Sequence, residues 1–197
     1  MRPGHRRSGA RFPRPRSKSA PAGPKDEYLK DYKDLVAWSR AAGLITDESA
    51  RCLLRSEPGE TAAAHIRAVA LREALHSIFR AAAGSEPLPQ AALDELTRAV
   101  RETVSFRHLG TRDGRLCCTW DFCQNAPLAL LGPIAWPAMD LLESGPLERI
   151  RECPPPDGCG WLFLDASKNR SRHWCSMKTC GNAAKARRFR QRRAAAV

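Results

Sequence analysis

Cys153, Cys159, Cys175 and Cys180 fall into two pairs, C-PPPDG-C and C-SMKT-C, with fifteen residues between them. Two ligand pairs flanking one compact loop is the arrangement of a metal-stapled module, and four thiolates suit Zn²⁺, which takes tetrahedral sulfur ligation at roughly 2.3 Å. Four thiolates also close the coordination sphere, so the expected role is one structural zinc and not a catalytic one. Four reduced thiols or two disulfides are the alternative reading of the same residues.

The residues around the pairs support the metal. Trp161, Leu162, Phe163 and Leu164 read as a short buried strand. Asp165 and the polar run from Ser167 to Ser171 read as a turn, after which Arg172 to Trp174 is expected to return as the second strand. Asn182 is expected to cap a helix over the run AAKARRFRQRRAAA. Knuckle, hairpin, knuckle and helix is the order of a treble-clef-like finger. A tail with so few other apolar residues needs such a staple, because a small core does not offset its own ordering entropy.

The segment GWLFLDASKNRSRHWCSMKTCGNAAKARR resembles the CGNR zinc-finger family of bacterial proteins. The family pattern is an FLD-type strand, a basic turn, a WCSM segment and a Cys-Gly-Asn-Arg quartet closely followed by lysine. Phe163, Leu164, Asp165, Ser167, Asn169, Arg170, Arg172, Trp174, Cys175, Ser176, Met177, Cys180, Gly181, Asn182 and Lys185 carry the match. His173 stands where a second arginine is usual, and Ala183 replaces the arginine of the family's name. The resemblance implies a DNA-binding transcription regulator with an ABATE helical region upstream, which KDLVAWSRAAGLI also resembles.

Beside the cysteines, the feature with most chemistry is the basic helix. Lys185, Arg188 and Arg192 are spaced three and four apart, Arg187, Arg190 and Arg193 repeat every three, and no acid occurs from Gly181 onward. A merely solvated helix would mix in acids to form ion pairs, whereas unrelieved cation suits a polyanion. Arg170, Arg172, Lys185, Arg187, Arg188, Arg190, Arg192 and Arg193 are therefore the candidate nucleic-acid contacts. Such contacts explain affinity for phosphate and leave base choice open.

These residues need elements to hold them, and the chain divides by charge. Residues 1–25 carry eight Lys or Arg and no acid; residues 26–146 carry 13 against 17; residues 147–197 carry 12 against 4, within a net charge of +12. The first segment, rich in Arg, Pro, Ser and Gly, is expected to be a disordered basic tail, either a solvated one or an arm on nucleic acid. It lacks the apolar stretch of an export signal, and no run approaches a membrane span, so a cytoplasmic protein is expected.

Residues 26–146 read as an α-rich domain. Tyr28, Leu29, Tyr32, Leu35 and Val36 recur at helical spacing up to Gly43, and Thr46 opens a second helix. A third is expected from about Glu60 to Ala83 with Ile66, Val69, Leu71, Leu75, Ile78 and Phe79 inward, and a fourth over Leu93, Leu96 and Val100. Alternation through Leu116, Cys118, Trp120 and Phe122 beyond Asp113-Gly114 predicts a two-stranded ribbon. Residues 127–143 offer a last helix in which Pro133 and Pro137 must kink or restart it. Gly145 and Pro146 mark the boundary with the finger, residues 147–197.

Cys118 and Cys123 repeat the spacing of Cys175 and Cys180, but positions five apart in a strand face opposite ways. With Cys52 on a helix, they read as buried thiols in a reducing compartment. The five histidines, at 5, 65, 76, 108 and 173, form no catalytic motif. The sequence thus predicts a mainly α protein with a small β-hairpin and a C-terminal zinc finger, non-enzymatic, binding DNA as a transcription regulator. A zinc-stabilised RNA-binding or protein-interaction module is the alternative. The helical domain is expected to sense a small-molecule signal or to form a homodimer.

Overall fold

A computed structural model describes residues 27–112, 114–123, 126–154 and 159–194; the basic segment 1–25 lies outside them. Helices α1 (Tyr32–Ala41), α2 (Asp47–Leu53), α3 (Pro58–Gly84) and α4 (Gln90–Thr103) are followed by the antiparallel ribbon β1 (Arg107–Arg112) and β2 (Arg115–Trp120), then α5 (Gly132–Ser144). The antiparallel pair β3 (Ile150–Glu152) and β4 (Leu162–Leu164) and helix α6 (Asn182–Ala194) complete the order. Among the described residues no helix is long and apolar enough to cross a membrane.

Helix α3 is the axis of the core. Ala64, Ala68, Leu71, Leu75 and Ile78 are buried on it at three- and four-residue spacing, and the alanines let neighbouring elements approach closely. Ile66, expected inward, is 67% exposed because the face is set by those alanines. The helix is tied to α4 by Arg67, which bonds Glu95 and Glu102 at 2.8 Å each, and to the chain before α1 by the buried Arg72, paired with Glu27 at 2.8 Å. Thr46 caps α2 by accepting from the Ser49 amide. Pro133 falls in the first turn of α5, where its missing N–H costs nothing, and Pro137 lies inside the helix, which is nonetheless continuous from Gly132 to Ser144.

Among the described residues, the ribbon packs through its base. Trp120 lies against Gly132 at the start of α5, and the Arg107 guanidinium stacks 4.0 Å over Trp136, while Leu109 and Leu116 at the outer end stay 74% exposed.

Two expectations about cysteines are corrected. Cys52 on α2 and Cys123 just beyond β2 are joined as a disulfide, with Cα atoms 5.2 Å apart and a sequence separation of 71. Cys118 is exposed, so the reading of a buried thiol fails there too.

Candidate metal centre and basic helix

The hairpin that carries the first cysteine pair is not the expected one. Leu162–Leu164 pairs backwards with Ile150–Glu152, in the register Ile150 to Leu164 and Glu152 to Leu162, and not forwards with residues 172–174. The pairing extends past the strands: the Cys153 amide donates to the Trp161 carbonyl at 2.8 Å and the Gly160 amide to the Cys153 carbonyl at 3.1 Å. Gly160, at φ +69°, supplies the left-handed residue that this closure requires. Cys153 and Cys159 therefore sit at the tip of the β3–β4 hairpin.

Residues 172–174 form no strand, and the Arg172 amide is taken instead by Asp165. Its carboxylate, fully buried, accepts from the Ser167 amide at 2.8 Å and the Arg172 amide at 3.1 Å. Hydrogen bonds from Ser167 and Arg172, with the Arg149 guanidinium nearby, outweigh burial and hold this carboxyl below its ordinary pKa. Arg149 also donates to the Asp165 and Ser167 carbonyls at 3.1 Å each. Arg172 stacks over Phe163 and donates to the carbonyls of Trp174, at 3.0 Å, and Cys175. It thus fastens the hairpin to the second cysteine pair.

That second pair runs into the helix. Ser176 caps a π-helical turn, Met177–Gly181, by accepting from the Thr179 amide, and α6 follows without interruption. Asn182, expected as the cap, is already helical and donates to the Lys178 carbonyl at 3.3 Å. A Cβ on Gly181 would stand 2.7 Å from the Met177 sulfur and 3.2 Å from the Trp174 ring, so glycine lets the turn close against them.

The four sulfurs converge. Cys159 and Cys175 Sγ are 3.4 Å apart, Cys175 and Cys180 Sγ 3.7 Å, and all four ligand atoms lie within 4.8 Å of one another. A tetrahedron with roughly 2.3 Å zinc–sulfur bonds has edges of about 3.8 Å, so the thiols fit one structural zinc. Burial pushes the Cys159 and Cys175 thiols up in pKa, and a divalent cation supplies the charge that lets such a cluster ionise. Among the described residues, a small core of Cys153, Trp174 and Ala184 lies around it, with Phe163 packed alongside.

Six of the eight candidate nucleic-acid residues lie on α6, where Ala184 alone is buried. Lys185, Arg188, Arg190, Arg192 and Arg193 are exposed and Arg187 is half-buried. The other two lie on the 165–172 turn: Arg170 pairs with Glu148 at 3.2 Å, and Arg172 is committed to the carbonyls already named. Sequence reasoning missed Arg149, whose contacts form only in three dimensions, and Phe189. The Phe189 ring is 62% exposed amid the arginines, with the Arg193 guanidinium 5.9 Å from its centre. The signal was legible: among its helical neighbours, Lys185, Ala186, Arg192 and Arg193, there is no large apolar partner.

The first hairpin of the finger also reaches the main core. Ile150 belongs to the main core, and Leu147, Leu162 and Leu164 pack against it. Arg80 on α3 reaches Glu152, next to Cys153, at 3.7 Å.

Compared with known proteins, residues 16–145 match the ABATE family model, described as "Putative stress-induced transcription regulator", and residues 149–193 match the CGNR zinc finger. No curated protein matches the chain.

Proposed function

Given that the chain belongs to the ABATE family and carries a CGNR zinc finger, we propose that it regulates transcription by binding DNA through α6, with a structural zinc holding that helix in place. The observation that carries this reading is an acid-free cationic helix projecting from a four-cysteine centre. Six cations on 13 residues repel one another, and backbone phosphates relieve that repulsion while releasing counterions. Zinc has no reactive duty here, because four thiolates leave no position for water or substrate; the protein acts as a binder and not an enzyme.

The β3–β4 hairpin gives the helical domain a means of control. It packs on α3, so a signal molecule or a second copy that shifts α3 also shifts the strand that leads directly into Cys153. Supporting this coupling are Ile150 in the common core and the Arg80–Glu152 pair.

Phe189 favours a second reading. An exposed phenyl ring among arginines is the composition that stacks on unpaired bases in single strands and RNA loops. Affinities of the zinc-loaded chain for duplex DNA, structured RNA and single strands, at one salt concentration, separate the two. Tightest binding to the duplex is expected; preference for unpaired bases, abolished by Phe189→Ala, replaces DNA by RNA. Binding to none of them leaves α6 as a protein-docking surface.

A further inference from the structure

The finger has a concave face away from α6. A cavity of about 220 Å³ opens between β3 and the 170–173 segment, lined by Arg151, Glu152, Arg170, Ser171, Arg172 and His173 together with a proline; no α6 residue lines it. We propose that this cavity is a binding site for a phosphate group.

The arginines are held in place by neutral groups. Arg151 Nη1 donates to the carbonyls of Glu148 at 2.8 Å and Ile150 at 3.1 Å. Arg172 is fixed by the Trp174 and Cys175 carbonyls and by the Phe163 ring. Carbonyls position a guanidinium without cancelling its charge, and each guanidinium has five N–H donors, so these bonds leave others on both residues to serve a ligand. Arg170 is the partial exception, paired with Glu148 at 3.2 Å. The one acid of the lining, Glu152, is paired with Arg80 at 3.7 Å. With Glu148 and Glu152 set against Arg80, Arg151, Arg170 and Arg172, the cavity stays net cationic, and a fixed fork of donors suits the oxygens of a phosphate.

Arg170 adds an independent observation. It holds φ +52°, a left-handed conformation that a non-glycine residue adopts at a cost, and the Asp165 network closes the turn around it. Strain of this kind persists where the surroundings enforce it and concentrates at ligand sites. The volume is several times the roughly 30 Å³ share of one water, room for a phosphate and part of what it is attached to.

Two sources offer this chemistry: a nucleic-acid backbone, or free phosphate and phosphorylated metabolites. The site does not depend on the DNA reading. The test uses the zinc-loaded full chain, titrated with inorganic phosphate at constant ionic strength against chloride and followed by amide NMR. Saturable shifts confined to Arg151 and residues 170–173 are expected, with at least a tenfold loss of affinity in Arg151→Gln. Arg170→Gln, altering an exposed side chain, is the second variant should Arg151→Gln lose zinc. If the source is backbone, either variant also flattens the log–log salt dependence of duplex binding by about one. Neutralising Arg188 and Arg192 leaves the phosphate shifts unchanged, so this site and the α6 reading fail separately. The proposal is overturned if phosphate gives no saturable shift and neither variant alters duplex binding.

Discussion

Removing the metal should divide the finger in two. The perturbation is Cys175→Ser with a chelator present, and the division follows from where each half is anchored. The β3–β4 hairpin buries Ile150 in the main core and rests Leu162 and Leu164 against it. At about 1.5–3 kcal/mol for a fully buried aliphatic side chain, one buried and two half-buried residues retain roughly 3–6 kcal/mol without zinc. One decade of protection per 1.4 kcal/mol makes this about 10² to 10⁴ in amide exchange. Helix α6 has no such anchor: Ala184 is its one buried residue, an isolated helix of its length is marginal in water, and its cations repel. Hydrogen–deuterium exchange resolved along the sequence should therefore show residues 165–194 falling to near-unprotected rates, with strand amides of β3 and β4 and the helices α1 to α5 still slow. Loss of β3–β4 protection together with α6 would refute the reasoning, as would α6 staying protected without the metal.

Three more outcomes follow from particular residues. Replacing Cys52 and Cys123 together by alanine should lower stability by up to about 4 kcal/mol, the loop-closure value for a 71-residue separation, while metal analysis still finds one zinc per chain. Asp165→Asn should weaken zinc retention in a chelator competition at neutral pH. Because the folded carboxyl lies below its ordinary pKa, the stability it contributes is present above the unfolded value, near pH 4, and is lost as pH falls through the folded one; the variant should show a smaller acid-dependent loss. Ala183 is exposed on the first turn of α6 whereas Asp165 is buried with both carboxylate oxygens engaged. Ala183→Arg should accordingly tighten duplex binding and steepen its salt slope by about one, without raising the melting temperature as an internal brace would.

The ligands were legible because thiol pairs at short spacing carry their chemistry in one dimension, and the helices because Leu35, Leu71 and Leu96 each belong to a local period. Pairing that crosses the ligand loop was not. The partner of Leu162–Leu164 is three residues long and precedes Cys153, while the polar turn at 167–171 resembles a hairpin turn closing forwards. The pairing of β4 with β3 and the buried Asp165 side chain, claiming the Ser167 and Arg172 amides, take that option's place. Cys52 and Cys123 had no local pattern to join them across 71 residues. Ile66 misled for a different reason: on α3 the small alanines, and not the largest side chains, define the packed face.

The central claim is that the zinc-held α6 grips nucleic-acid phosphates, and the salt dependence of duplex affinity tests it most directly. With four to six phosphates neutralised by the six cations of α6, log affinity of the zinc-loaded chain should fall linearly with log salt at a slope of roughly −4 to −5. Neutralising Arg188 and Arg192 together should weaken binding to all sequences alike and flatten the slope by about two. A duplex affinity indifferent to salt, or a slope unchanged in that double variant, would contradict the account.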